Sequence, residues 1–260
     1  MANLLKATIT QLDANQPEAE WERLARHTAV NAPDLVLLPE MCFAPWFCAA
    51  PQPDEATWQR AVSSHEAWLG RLPELGARYV IGTAPRDIDG ARHNVAYLWS
   101  AVDGLQWIHA KTYLPNDEGY WEVNWYDRAP IEFKPTRVGG LTLGVMICTE
   151  LWFLQHAREY SKIGIHLLLN PRSTPRPTNA KWLAGGRTAA VVSGAYCLSS
   201  NHAGRAGRVD LGGAGWLCDP DGAVLATTSE AEPFVTVELD LGAAERAKFT
   251  YPRYVDDCPI

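Results

Sequence analysis

The chain has 260 residues, of which 47% are hydrophobic and 20% are charged, and this composition is that of an ordinary globular protein. Its net charge of -7, with lysine and arginine scattered along the sequence, argues against nucleic acids and anionic membrane surfaces as partners. No apolar run approaches the ~20 residues that a membrane helix needs, and the opening segment MANLLKATITQLD turns polar too soon for a signal peptide. We therefore expect a cytoplasmic protein that folds as a single domain over residues 1–260.

Strand patterns recur along the chain, each bounded by Gly, Pro, Asp or Asn. The candidate strands are ATITQLD, DLVLLPE, YVIGTA, NVAYLWS, LTLGVMIC, IHLLLN, AYCLSSN, GGAGWLCDP and PFVTVELD. Helical patterns separate several of them, namely PEAEWERLARHTAV, DEATWQRAVSSHEAWLGRLPELG, LQHAREYSKIG and NAKWLAGGRTAAVVSG. This alternation predicts an α/β fold. The exception is NVAYLWSAVDGLQWIHAKTY, which predicts a hairpin around Asp103 and Gly104 and therefore a mixed sheet.

Three polar residues lie at or just after the carboxyl ends of predicted strands: Glu40 in LVLLPEMCF, Lys111 in WIHAKTYLPN and Cys148 in LGVMICTE. Loops at that edge of an α/β sheet commonly carry the chemistry. An acid, a cation and a thiol together suit acyl transfer from a carbon–nitrogen bond, in which a thiolate attacks a carbonyl or nitrile carbon. Glu40 would take the thiol proton and pass it to the departing amine, while Lys111 and the backbone N–H of Thr149 would hold the oxyanion.

Each of these residues also has a purely structural explanation. A glutamate at a strand end is most often a cap or a surface charge, a lysine is most often solvated, and a cysteine is most often a small core residue. Composition and periodicity alone therefore indicate an α/β enzyme that uses a thiol, without identifying its reaction.

The three segments together resemble the nitrilase superfamily of carbon–nitrogen hydrolases. That family carries a Glu-Lys-Cys triad in this chain order, in a strand ending in LPE, a segment like KxHLPN and a segment like GxxICxD. The matching pieces here are LLPE with Glu40, KTYLPN with Lys111 and GVMICTE with Cys148. The likeness continues in LLLNPRSTP, GGAGWLCDPDGAVLA and YPRY, so it spans nearly the whole chain. It implies the family fold, a four-layer αββα sandwich with two mixed β-sheets packed face to face.

The resemblance also implies a second glutamate close to Lys111. The spacing in KTYLPNDEGYWE best matches Glu122, whose implied role is to hold the lysine and to help position the substrate, and Glu118 is the competing candidate. The residues that we expect to contact substrate are Thr149, Trp121, Trp152, Glu118, Asn170 and Arg172. Glu150, directly after the Cys-Thr pair, is expected to be a buried acid that fixes the turn at the cysteine, and a site for a cationic substrate tail is its alternative.

Departures from the family pattern bear on the substrate. Nitrilases usually show Cys-Trp-Glu at the nucleophile and many amidases and carbamoylases show Cys-x-Asp, whereas this chain has Cys148-Thr149-Glu150. The following LWF segment resembles N-carbamoylputrescine amidase-like members. We therefore predict hydrolysis of a small linear amide or N-carbamoyl compound through a thioester, with release of ammonia or an amine. A nitrilase, an acyltransferase that uses the same acyl-enzyme, and a catalytically silent binding or assembly subunit remain alternatives.

No metal or cofactor is expected, because the seven histidines show no HxxxH or HxH spacing and the six cysteines form no CxxC pair. Cys42 and Cys48, close in sequence to Glu40, are expected to be buried core residues, with a redox role as the alternative. The resemblance implies a homodimer or a homotetramer. The other expected partner is the small-molecule substrate. Neither a nucleic acid nor a membrane is expected to bind.

Overall fold

The computed structural model describes residues 3–13 and 15–258, and within them strands and helices alternate along the chain. The strands of this described part are β1 (Leu4–Asp13), β2 (Leu35–Leu37), β3 (Tyr79–Ile88), β4 (Ala91–Ser100), β5 (Gly104–Ala110), β6 (Thr136–Val138), β7 (Leu141–Val145), β8 (Leu167–Arg172), β9 (Tyr196–Ala206), β10 (Val209–Gly212), β11 (Trp216–Cys218), β12 (Val224–Thr227) and β13 (Phe234–Asp240). Its α-helices are α1 (Pro17–Asn31), α2 (Glu55–Leu69), α3 (Glu122–Trp125), α4 (Leu154–Ile163), α5 (Asn179–Ser193) and α6 (Leu241–Ala247).

Hydrogen bonds join these strands into one large sheet. Its central path runs β5-β4-β3-β2-β1-β9-β8-β7-β6, while β13 pairs with β1, β10 and β11 pair with β9, and β12 pairs with β11. Strands β1, β2 and β3 are parallel, as are β7, β8 and β9, whereas β3, β4 and β5 form an antiparallel meander. The predicted α/β fold with a mixed sheet is therefore confirmed.

The two halves of this path are joined by a short contact between β1 and β9. Their ladder contains the residues Gln11–Asp13 of β1 and Asn201–Ala203 of β9. One hydrophobic cluster includes side chains of both halves, such as Ile9 from β1 with Leu143 from β7 and Leu169 from β8. Two halves of a sheet that face each other would share a core in this way. Hydrogen bonds nevertheless connect all the described strands into one sheet. The predicted division into two separate sheets stays a prediction.

Helix positions follow the sequence patterns closely. Helices α1, α4 and α5 occupy the segments predicted for them. The predicted helix DEATWQRAVSSHEAWLGRLPELG is instead divided, because α2 ends at Leu69 and a 3-10 helix follows over Leu72–Leu75. Gly70 and Pro73 lie at this division, and both residues disfavour a continuous helix.

Strand positions show larger differences. The hairpin between β4 and β5 is confirmed, with Ser100 opposite Gly104, whose φ of 75° is readily accessible to glycine. Strands β6, β10 and β12 were not predicted, because three or four residues are too short to show a periodic pattern. Strand β7 ends at Val145, so Cys148 lies beyond the strand. Among the helices of the described residues, none combines the length and the apolar character that crossing a bilayer requires.

Candidate active site

The segments that carry Glu40, Lys111 and Cys148 leave the sheet at the same edge. They follow the ends of β2, β5 and β7, respectively. Strand β5 is antiparallel to β4 and β4 is antiparallel to β3, so β5 runs in the direction of β2 and β3. Strand β7 runs in this direction as well, because β8, β9, β1 and β2 are successively parallel. The topology therefore brings three distant segments to one place.

Lys111 contacts two buried carboxylates. Its Nζ lies 2.7 Å from Glu40 Oε1, and 2.8 and 2.6 Å from the two carboxylate oxygens of Glu122. Glu40 Oε1 also accepts a hydrogen bond from Asn94 Nδ2 at 2.7 Å. Glu40 Oε2 is buried and has no hydrogen-bond partner among the described residues. We call Glu40, Lys111 and Glu122 the lysine cluster.

Burial and mutual charge determine the protonation of this cluster. Burial alone would lower the pKa of Lys111, but Glu122 and Glu40 raise that pKa well above its usual value, so the side chain is an ammonium. Burial raises the pKa of Glu122 to about 8, with Lys111 opposing and Glu40 adding to the rise. Burial, and then the charge of Glu40, also raises the pKa of the Cys148 thiol. The sulfur is therefore protonated at neutral pH and needs a base to become a nucleophile.

Cys148 begins a short 3-10 helix just after β7. Its φ of 48° lies in the left-handed region, where a residue with a side chain is strained and must be held by its surroundings. Asn170 Nδ2 donates hydrogen bonds to the carbonyl oxygens of Met146, at 2.6 Å, and of Cys148, at 3.1 Å. The thiol faces the carbonyl oxygen of Ser173 at 3.9 Å. The N–H of Thr149 belongs to the first turn of this helix, where N–H groups lack a partner within the helix.

Glu150 links the turn at Cys148 to the end of β5. Its Oε2 accepts hydrogen bonds from the backbone N–H of Ile147 and from His109 Nε2, and its Oε1 accepts one from the backbone N–H of Thr112, all at 2.7 Å. The other ring nitrogen of His109 faces the carbonyl oxygen of Glu132 at 3.2 Å, so both ring nitrogens lie beside an oxygen of the protein. We call Glu150 and His109 the histidine pair. These contacts agree with the interpretation of Glu150 as a buried acid that fixes the turn.

A cavity of about 580 Å³ lies beside the segment that precedes Glu122, and Tyr120 is one of its lining residues. The tyrosine lines the cavity together with Gly119 and Pro175, while Glu118 and Arg208 are exposed residues of its lining. The Tyr120 hydroxyl is buried and has no hydrogen-bond partner within the described chain. Burial raises the pKa of Tyr120, and the nearby acidic groups, including Glu40 and Glu122, raise it further.

The two candidates for the second glutamate lie in different surroundings. Glu122 contacts Lys111 directly, whereas Glu118 is exposed at the cavity. Trp121 directly precedes α3 and is partly buried. Trp152 is 39% exposed, and its ring packs where a side chain on Gly185 of α5 would otherwise lie.

The other predicted contacts with substrate are engaged by the protein itself. The Asn170 amide holds the turn at Cys148, as described above. Arg172 is buried, and its guanidinium donates to Ser199 Oγ at 2.9 Å and to the carbonyl oxygen of Ala214 at 2.6 Å. Burial lowers the pKa of Arg172 to about 9. Substrate binding by Asn170 and Arg172 stays a prediction, and their observed contacts are those of residues that position the site.

Cys42 and Cys48 are both buried, which agrees with their interpretation as core residues. The Cys48 thiol donates to the Tyr126 hydroxyl at 3.2 Å. Burial raises the pKa of both thiols. A redox role for either residue stays a prediction.

Sequence reasoning missed Asn94 and His109, which hold Glu40 and Glu150 respectively. Both lie in the hairpin of β4 and β5, where each is a buried polar residue beside apolar neighbours. Buried polar groups require hydrogen-bond partners, so a polar residue in a buried strand is a signal of a nearby site. The sequence does not identify the partner, because that depends on how the strands and loops pack.

The sequence of this chain matches the model of a known protein family. A model of the family described as carbon-nitrogen hydrolase matches residues 3–249. The chain belongs to the carbon–nitrogen hydrolase family. The family resemblance predicted from the LPE, KTYLPN and GVMICTE segments is thereby confirmed.

The curated relatives that match this chain are named for different activities. The chain is 28% identical over 250 residues to a glutamine-dependent NAD(+) synthetase of Rhodobacter capsulatus, covering 93% of this chain and 43% of the relative. It is 27% identical to a citrullinase of Francisella tularensis, covering 66% of this chain and 62% of the relative. It is 24% identical to an N-carbamoylputrescine amidase of Arabidopsis thaliana, covering 61% and 54%. The chain thus spans less than two thirds of the length of these relatives.

Solved structures share the fold at low sequence identity. A carbon-nitrogen hydrolase from Helicobacter pylori superposes with a TM-score of 0.82 at 19% identity, covering 98% of this chain and 96% of that one. A mutant amidase from Nesterenkonia sp. superposes with a TM-score of 0.77 at 17% identity, covering 93% and 92%. That structure shows covalent addition of the acetamide moiety of fluoroacetamide at its own active site cysteine.

Proposed function

We propose that the protein is a thiol-dependent amidohydrolase that cleaves the C–N bond of a small linear amide or N-carbamoyl compound. The observation that carries this proposal is the lysine cluster near a buried thiol, with Glu40 Oε2 left without a hydrogen-bond partner. Family membership supports the reaction class. The citrullinase and the N-carbamoylputrescine amidases among the relatives support the amide or carbamoyl branch.

In the first half of the reaction, the carboxylate of Glu40 removes the proton from the Cys148 thiol. The thiolate attacks the carbonyl carbon, and the carbonyl oxygen becomes an oxyanion that accepts hydrogen bonds from Lys111 Nζ and the Thr149 N–H. Glu40 then donates the proton to the leaving nitrogen, the C–N bond breaks, and ammonia or an amine departs. This leaves a thioester on the sulfur.

In the second half, Glu40 takes a proton from water, and the hydroxide attacks the thioester carbon. The same donors hold the second oxyanion, the C–S bond breaks, and the thiolate recovers a proton from Glu40. Glu122 keeps Lys111 in place through both halves. Lys111 Nζ donates one hydrogen bond to Glu40 and one to Glu122, so the third ammonium proton is available to the oxyanion.

Ammonia release from matched amides, N-carbamoyl compounds and nitriles tests the proposal. The wild type should release ammonia from amides or N-carbamoyl compounds, and Cys148→Ala should not. Cys258→Ala is the matched control, because that cysteine is exposed and outside the cluster. Activity on nitriles alone would favour the nitrilase alternative, and unchanged activity in Cys148→Ala would refute the nucleophile assignment.

Three further predictions remain proposals alongside the function. The hydrophobic cluster shared by both halves of the sheet supports the four-layer αββα arrangement. The family resemblance supports a homodimer or a homotetramer, and light scattering of the purified protein tests this assembly. The sequence likewise supports a cytoplasmic location.

A further inference from the structure

Two hydroxyl groups around the thiol are buried without a hydrogen-bond partner in the described chain: Tyr120 Oη and Ser173 Oγ. Buried polar atoms in folded proteins are nearly always paired, because an unpaired one loses its hydrogen bonds to water without replacement. A buried hydroxyl that is unpaired in the described chain and lies beside a proposed active site indicates a partner that is supplied by a ligand. Glu40 Oε2 is also buried without a hydrogen-bond partner in the described chain, but in the proposed reaction it accepts the proton of the thiol.

Both hydroxyls belong to residues beside the proposed site. The Ser173 carbonyl oxygen is the acceptor that faces the Cys148 thiol, so its side chain belongs to a residue in contact with the sulfur. Ser173 is fully buried. Tyr120 and Pro175 line the same 580 Å³ cavity, and Pro175 follows Ser173 by two residues. The cavity therefore lies beside both segments that carry the unpaired hydroxyls.

The proposed reaction leaves one part of the substrate for them to bind. The carbonyl oxygen is directed to Lys111 and the Thr149 N–H, and the leaving nitrogen is directed to Glu40. The remaining substituent of the carbonyl carbon extends into the cavity. In a carboxamide its first atom is a CH₂ group, which forms no hydrogen bond, whereas in an N-carbamoyl compound it is an N–H, which a hydroxyl oxygen accepts.

We propose that the hydroxyls of Tyr120 and Ser173 form a subsite for the internal N–H of a terminal ureido group. This subsite makes the enzyme prefer N-carbamoyl compounds to carboxamides of the same length. The inference rests on the proposed function and deepens it. A carboxamide in the same place leaves the hydroxyls unpaired, and buried groups left unpaired are what allow a site to reject an analogue that lacks the matching polar atom.

The test compares two matched series: alkylureas, and the carboxamides with CH₂ in place of the internal NH, such as propylurea and pentanamide. kcat/KM is measured by ammonia release for the wild type, Tyr120→Phe and Ser173→Ala. The wild type should favour the ureas, Tyr120→Phe should lower the urea-to-amide ratio by roughly tenfold, and Ser173→Ala should lower the same ratio. Both substitutions remove only the hydroxyl, and thermal unfolding checks that the variants fold.

Tyr97→Phe is the matched control. Its hydroxyl is also buried and has no hydrogen-bond partner among the described residues. Tyr97, however, belongs to a hydrophobic cluster of buried side chains that contains neither Tyr120 nor Ser173. This control should leave the urea-to-amide ratio unchanged.

Several results would overturn the inference. A wild type that prefers carboxamides would do so, as would equal losses for both series in Tyr120→Phe and Ser173→Ala. A ratio that only one variant changes would remove the other hydroxyl from the subsite. Release of ammonia from neither series at any chain length would instead contradict the proposed function, and this outcome is distinguished by the inactivity of the wild type.

Discussion

The lysine cluster and the histidine pair are both buried ionic groups at the same end of the sheet, but their hydrogen bonding differs. In the histidine pair, each Glu150 oxygen accepts at least one hydrogen bond and both ring nitrogens of His109 face an acceptor. In the lysine cluster, two carboxylates share one cation and Glu40 Oε2 has no partner in the described structure. The histidine pair is therefore satisfied by the protein itself, while the lysine cluster keeps a carboxylate oxygen that can accept a proton in the proposed reaction.

The histidine pair positions the segments that carry Lys111 and Cys148. Glu150 binds the N–H of Thr112, which follows Lys111, and the N–H of Ile147, which precedes Cys148. The distance between the ammonium and the sulfur therefore depends on one buried acid that touches neither. This comparison predicts that changes in the lysine cluster mainly reduce activity, and that changes in the histidine pair mainly reduce stability.

The largest expected effect is that of Glu40→Gln. The amide cannot take the thiol proton, so kcat/KM for the best amide or N-carbamoyl substrate should fall by about 10³-fold, within the usual range for loss of a general base. Denaturant unfolding should show a folded protein, because Lys111 keeps Glu122 as its partner. Glu66→Gln is the control, since that carboxylate is exposed on α2 and does not line the 580 Å³ cavity. Activity of Glu40→Gln within tenfold of the wild type would contradict the assignment of the base.

Glu150→Gln should chiefly reduce stability. Glu150→Gln replaces a carboxylate oxygen with an NH₂ group that cannot accept, so buried donors around it lose their acceptor, and the free energy of unfolding should fall by about 1–3 kcal/mol. Urea denaturation measures this loss. The double variant with His109→Gln should lose less than the sum of the single variants, with a coupling energy of roughly 0.5–3 kcal/mol. Strict additivity would show that the two side chains do not act as a pair.

The protonation of Glu122 gives a pH dependence with a defined sign. Burial raises its pKa from 4.5 to about 8 in the folded state. The folded protein therefore binds this proton more tightly than the unfolded chain, so the stabilisation is present below pH 4.5 and is lost as the pH rises through about 8. The unfolding free energy of the wild type minus that of Glu122→Gln should decrease over this window. A difference that stays constant or increases would refute the raised pKa.

The smallest expected effect is that of Trp152→Ala. Its ring is 39% exposed and packs on α5, in contrast to the buried lysine cluster. We expect kcat/KM to change by less than about threefold, as for a surface substitution. Steady-state kinetics on the preferred substrate measures this change. A loss of more than tenfold would instead support the sequence prediction that Trp152 contacts substrate.

Regular elements and ordered motifs were predictable from the sequence, while contacts across the sheet were not. The strand ends near Glu40 and Lys111 were visible because their apolar runs stop at polar residues. The left-handed turn at Cys148 was not visible, because it is imposed by Asn170 from another strand. The partners of Asn94 and His109 depend on packing between segments far apart in sequence, and periodicity carries no information about such pairs.

The most direct test is mass spectrometry of the wild type, quenched with acid during turnover of its preferred amide or N-carbamoyl substrate. We predict an added mass equal to the acyl group, located on the peptide that contains Cys148 and absent from Cys148→Ala. Turnover without any adduct on that peptide, together with wild-type activity in Cys148→Ala, would contradict a thioester mechanism at this site.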